Sequence, residues 1–268
     1  MPTASGSGTD SGTDLFWETV GTGPRLLFCN GSSMTVESGG PLLDLVGQGF
    51  ELLRWDYRGL GRSAPVSSPY TMADVADDAL AVLDAAGWDT CNVMGLSFGG
   101  MVAQELSVTH PQRVQRLALA CTSPGGAGGS SYPLETLAEL DEAERTALGR
   151  ELLDERWDEQ WLAERPTDMV LAQAVGADRD RDDPDGAPGR RLQMQARAGH
   201  DVFERLGAIT SPTLVGYGRY DRIAPEVNSR AIASRIPRAE LRGYDGGHLF
   251  IVQDPAALPD FQAFLRGS

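Results

Sequence analysis

Two rhythms of apolar and polar positions alternate along this chain. Short, dense apolar runs recur at residues 15–20, 25–29, 50–55, 91–94, 114–121, 212–216 and 239–244, and glycine, proline, asparagine or aspartate lies close to their ends. Apolar runs of that length read as strands. Between them, apolar residues fall three and four apart. Met72, Val75, Ala76, Ala79, Leu80 and Leu83 share one helical face behind Thr71, a ready N-cap, and Gly87 stops that helix. Phe98, Met101, Val102 and Leu106 predict a second helix, ending at His110-Pro111, and 225–236 and 255–265 predict two more. Strands alternating with helices of this kind build a parallel, doubly wound sheet.

The alternation breaks after Ser123 for nearly ninety residues. Gly125 to Ser131 reads as a flexible connector, and residues 134–190 carry 17 Asp and Glu against 7 Arg. Helical spacing persists there, as in Leu152, Trp157 and Trp161, until a polar loop from Asp178 to Arg191 with Pro184 and Gly186. The expected organisation is a core of 14–123 and 211–268 with a helical lid, 124–210, inserted into it. Residues 1–13, rich in Ser, Gly, Thr and Asp, are expected to form a disordered lead-in rather than a signal peptide.

With 268 residues the chain can bury one sizeable core. Its net charge of −15 argues against nucleic acid and acidic membrane surfaces as partners. It has no lysine, which excludes Schiff-base and Ser-Lys chemistry, because both need an amine of tunable pKa. Cys29, Cys91 and Cys121 lie in apolar runs without metal-ligand spacing and read as buried thiols in a reducing compartment. No apolar run approaches membrane-spanning length, so a cytoplasmic location is expected.

The candidate chemistry centres on Gly95-Leu96-Ser97-Phe98-Gly99, where an apolar run turns into an amphipathic helix. Glycines on either side of Ser97 let the backbone double back, so the hydroxyl projects beside the new helix's N-terminal amides. A serine needs a base, and without lysine only three histidines remain. His110 sits at a helix end, a structural position; His200, at an apparent helix start, reads as structural or as bordering the pocket. His248 follows the last strand and the flexible pair Gly246-Gly247, and is the candidate base. Asp221, in the turn after the penultimate strand, is the candidate for fixing its tautomer, with Asp245 and Asp201 as competitors. The order Ser97, Asp221, His248 is the nucleophile–acid–base order of one fold.

On these motifs, together with Asp56-Tyr57-Arg58-Gly59-Leu60-Gly61-Arg62-Ser63, the chain resembles the α/β-hydrolase family from residue 14 onward. The resemblance implies an α/β-hydrolase fold: a doubly wound, mostly parallel sheet with a helical lid inserted after the sixth strand. It also implies that 56–63 is a structural loop whose arginines brace backbone. It places an oxyanion hole at the backbone N–H groups of Phe98 and Ser32, the latter in a loop where Asn30-Gly31 replaces the family's frequent His-Gly. Asn30 and Ser33 from that loop, with Trp157 and Trp161 from the lid, are candidate pocket residues, and Phe98 is expected to line the pocket. Trp157 and Trp161 fit lid core equally well. Arg190, Arg191 or Arg197 would suit an anionic substrate.

Serine as nucleophile points to acyl transfer without metal or organic cofactor. The loop and lid are similar to the 3-oxoadipate enol-lactonase-like branch, which implies a small-molecule ester or lactone as substrate. Cofactor-free haloperoxidase or perhydrolase chemistry and C–C bond hydrolysis run on the same three residues in some relatives. A ligand receptor with vestigial hydrolysis is the reading from another class, and a homodimer is compatible with the chain.

Overall fold

The computed structural model describes residues 3–5, 14–175 and 184–267. Eight strands form one sheet: β1 (Thr3–Ser5), β2 (Asp14–Gly21), β3 (Arg25–Cys29), β4 (Glu51–Trp55), β5 (Cys91–Leu96), β6 (Val114–Ala120), β7 (Thr213–Gly218) and β8 (Ala239–Tyr244). Their order is β1-β2-β4-β3-β5-β6-β7-β8, and from β4 to β8 every neighbouring pair is parallel. β2 joins antiparallel through β4, with Trp17 opposite Trp55, and β1 joins β2. The expected lead-in is corrected to this extent: 3–5 pair with the outer edge of β2, whose unpaired backbone groups offer a template for another strand. Residues 1, 2 and 6–13 lie outside the described residues.

Strands buried on both faces read as continuous apolar runs because each face packs a separate core. Leu27, Leu53, Val93, Leu117 and Val215 point one way, onto α2 (Met72–Ala85) and α3 (Phe98–Thr109). Their neighbours Leu26, Leu52, Met94, Ala118 and Leu214 point the other way, onto α1 (Gly40–Val46) and the last helix, Ala257–Arg266. Thr71 caps α2 through a reciprocal pair, its hydroxyl accepting from the Asp74 amide while the Asp74 carboxylate accepts from the Thr71 amide. Such a cap is worth about 1 kcal/mol.

Between β6 and β7 the chain forms α4 (Glu142–Leu153), short helices at Glu159–Glu164 and Pro166–Val175, and a fourth, Ala187–Ala198. The last corrects the expected polar loop: 187–191 are helical, and 178–183 lie outside the described residues. Pro188 sits in the first helical turn, where its missing N–H has no partner to lose. The buried face of this helix is Gly189, Arg190, Gln193, Ala196 and Arg197, so no apolar periodicity announces it.

The chain runs from β3 to β4 on one side, then crosses to β5 on the other. The loops after β3 and β5 therefore diverge at the carboxyl ends of adjacent strands, which is where a crevice opens in folds of this kind.

Candidate active site

Ser97 stands between β5 and α3 with φ 55° and ψ −115°, a backbone conformation that a β-carbon disfavours. Its own backbone holds it there. The amide donates to the Ala120 carbonyl at 2.9 Å, and the carbonyl accepts from the Gly100 amide at 2.9 Å and the Thr122 hydroxyl at 2.8 Å. Strain of this sort persists where surrounding bonds over-determine it, and it aims the side chain away from both strand and helix.

His248 lies in the loop after β8, 8% exposed, with Nε2 2.9 Å from Ser97 Oγ and Nδ1 2.8 Å from Asp221 Oδ2. A carboxylate only accepts, so Nδ1 carries the proton and Nε2 presents its lone pair to the serine O–H. The second Asp221 oxygen accepts from the amides of Ile223 at 2.8 Å and Ala224 at 2.9 Å, which fixes the carboxylate plane. The three residues singled out in sequence meet at the carboxyl edge of the sheet.

The competitors lie elsewhere. Asp245 is exposed and paired with Arg156 at 3.0 Å. Asp201 bridges to Gly125 at the base of the insertion. His110 caps α3, its amide bonding the Leu106 carbonyl and its ring the Thr109 hydroxyl. His200 is 5% exposed, and burial, reinforced by Arg205, pushes its pKa down to about 4.

The Phe98 amide opens α3, where helix amides have no intrahelical acceptor. The Phe98 ring, by contrast, expected at the pocket wall, is fully buried and packs edge-on against Tyr57 in the sheet core. In the loop after β3, the Ser33 amide is committed to Gln193 Oε1 at 2.7 Å, which leaves the Ser32 amide as the candidate second donor. Asn30, expected among the pocket residues, is instead fully buried. Its Nδ2 donates to the Trp55 carbonyl and its own carbonyl accepts from the Tyr57 hydroxyl, so it splices the ends of β3 and β4.

Trp157 packs with Leu152, Leu153 and Leu162 of the insertion and with Ile223 from the loop after β7 in a small core. The guanidinium groups of Arg156 and Arg165 both lie over the Trp161 ring, whose Nε1 donates to Asp168. Arg197 and His200 border a cavity of about 100 Å³ beside Met101 and Ser123, and burial lowers the Arg197 pKa. In the 56–63 loop, Arg58 forks onto Asp78 at 2.5 and 2.7 Å and Asp56 accepts from the amides of Val36 and Arg62. Burial raises the Asp56 pKa against those two bonds. The bond from the Ser33 amide to Gln193 is not legible in the sequence, because Gln193 lies in a polar stretch without a motif.

Among the described residues no cluster of three or more His, Cys, Asp or Glu could hold a metal ion, and no helix is long and apolar enough to cross a membrane. A serine, a base and an acid in hydrogen-bond sequence, beside a helix N-terminus, can attack a carbonyl and hold the oxyanion that results.

Residues 24–169 match a family model described as alpha/beta hydrolase fold. A putative carbamate hydrolase RutD of Variovorax paradoxus is 32% identical over 235 residues, 82% of this chain and 84% of that protein. A poly(3-hydroxyalkanoate) depolymerase of Ectopseudomonas oleovorans is 28% identical over 257 residues, 91% of this chain and 84% of that protein. Among solved structures, Est816, described as an N-acyl homoserine lactone degrading enzyme, superposes with a TM-score of 0.77 at 26% identity, covering 99% of each chain.

Proposed function

The chain belongs to the alpha/beta hydrolase fold family, and from that premise we propose that it is a serine hydrolase of a small carboxylic ester or lactone. Ser97 Oγ attacks the carbonyl carbon while His248 Nε2 takes its proton. Asp221 stabilises the imidazolium that forms. The tetrahedral oxyanion is held by the Phe98 and Ser32 amides, each donor being worth about 3 to 4 kcal/mol in sites of this kind. His248 then protonates the departing alkoxide, and a water, deprotonated by the same nitrogen, releases the acid and restores Ser97.

The observation that carries this reading is the unbroken chain Ser97 Oγ, His248, Asp221, with contacts of 2.9 and 2.8 Å, ending on a serine held at positive φ. The relatives' names support acyl substrates, and the one named for a carbamate favours a second reading in which the scissile bond is a carbamate. Steady-state and pre-steady-state hydrolysis of p-nitrophenyl acetate, a homoserine lactone series and an aryl carbamate tests both. An acyl-enzyme burst with the ester and turnover of a lactone is expected. Turnover of the carbamate alone would favour the second reading. Stoichiometric binding without release of acid would overturn the assignment.

A further inference from the structure

Five residues of the insertion, Leu152 to Arg156, touch both loops on which Asp221 and His248 stand. The Arg222 amide donates to the Leu152 carbonyl and the Glu155 amide to the Tyr220 carbonyl, each at 3.1 Å, so Asp221 is tied on both sides. The amide of His248 itself donates to the Leu153 carbonyl at 2.6 Å. Gly247, just before it, has no space for a β-carbon, which would overlap the Leu153 carbonyl and stand 2.6 Å from Asp154 Cβ.

Side chains repeat the pattern. Asp154 is fully buried, and its carboxylate accepts from Arg156 Nε and Nη2 at 2.9 and 2.7 Å and from Gln253 Nε2 at 2.9 Å. Gln253 Oε1 accepts in turn from the Gly247 amide at 2.9 Å. Arg156 reaches Asp245 at 3.0 Å in the histidine loop, while its guanidinium lies 3.8 Å over the Tyr220 ring in the aspartate loop. The loops also meet directly, Tyr220 N to Gly246 O at 3.0 Å, but upstream of both functional side chains. The insertion segment closes the ring on the other side.

We propose that Leu152–Arg156 is a positioning element that sets His248 against Asp221 and Ser97, with Asp154 and Gln253 as its polar link. The proposal rests on the relay reading above. Three backbone bonds and one buried carboxylate fix the separation of two loops, each of which bears one partner of a 2.8 Å hydrogen bond. Misplacement of about 1 Å in such an arrangement can cost on the order of a hundredfold in rate.

Asp154→Asn keeps the shape and removes the charge, leaving an amide among donors; Gln253→Leu cuts the same link from the sheet side. Each is expected to lower kcat for p-nitrophenyl acetate about tenfold or more with KM within about threefold, and to slow fluorophosphonate labelling of Ser97 equally. Because both act through Gly247, the double variant should lose little more than the worse single variant. Asp141→Ala removes the N-cap at the far end of α4 and should lower Tm while sparing kcat. If the two link variants behave like Asp141→Ala, or if only KM moves, the segment is structural and the proposal is overturned. Should Asp154→Asn not fold, Gln253→Leu decides alone. An active Ser97→Ala would instead overturn the relay itself, whereas an inactive one beside unaffected link variants overturns only the positioning role.

Discussion

A β-carbon on Gly99 would overlap the Cys29 carbonyl and stand 2.5 Å from that of Asn30. The first turn of α3 and the end of β3 therefore pack backbone on backbone, and that contact sets the Ser32 loop beside Phe98. Gly99→Ala must push the two apart. The expected result is a fall in kcat/KM of about a hundredfold or more, the typical loss on removing one oxyanion donor, carried by kcat. A variant that is merely less stable, with normal kcat, would remove Ser32 from the oxyanion hole.

Ser97 gives a prediction in which activity and stability separate. Ser97→Ala and Ser97→Gly should both lose all but a few per cent of hydrolysis, and fluorophosphonate should label Ser97 alone. Glycine at φ 55° is unstrained, whereas alanine keeps the β-carbon. Ser97→Gly should therefore melt higher than Ser97→Ala, with a gap on the order of 1 kcal/mol. Equal melting temperatures would mean that the turn stores no strain.

Much of this architecture is legible in sequence because its strands are apolar on both faces and its helices carry period and cap together. Thr71 and Gly87 bracket a helix observed at Met72–Ala85. The helix Gly40–Val46 gave no such signal, having seven residues and only Leu43 and Val46 buried. Ala187–Ala198 was hidden for the opposite reason: it buries Arg190, Gln193 and Arg197, where periodicity looks for leucine. In the site, Ser97, Asp221 and His248 announce themselves by residue type and order after strands. Gln193, Asp154 and Gln253 do not, since a side chain that acts by bonding a distant loop leaves no local pattern.

Arg58 and Asp78 are both almost wholly buried and bonded as a fork on two oxygens. Asp78→Ala leaves a guanidinium without its counter-charge in the interior, and should lower unfolding free energy by about 3–5 kcal/mol. Replacing both by Met and Leu should restore much of it. Denaturant titration of the two variants checks this; a KM effect at unchanged stability would show that Arg58 touches substrate instead.

His200 predicts a specific acid sensitivity. Its native pKa of about 4 lies below the ordinary 6.5, so between those values the unfolded chain binds a proton that the native chain refuses. Stability is therefore complete above about 6.5, falls as pH drops toward 4, and loses roughly 3 kcal/mol in total from this group. His200→Gln should remove that share of the slope. Urea titrations from pH 7.5 to 4.5 would show a gap between wild type and variant that shrinks on acidification; a constant gap would mean that the ring titrates normally.

The closure of Leu152–Arg156 around two loops of the sheet bears on how such a chain can be inherited or recombined. A crossover at residue 133 would exchange the cover and half of an alignment device together, and the recipient sheet would meet carbonyls placed for another protein's loops. A crossover after Arg156 would leave the device with its own sheet and carry only the later part of the insertion. With Leu152–Arg156 as the positioning element, the seam for such an exchange lies inside the insertion rather than at its edge.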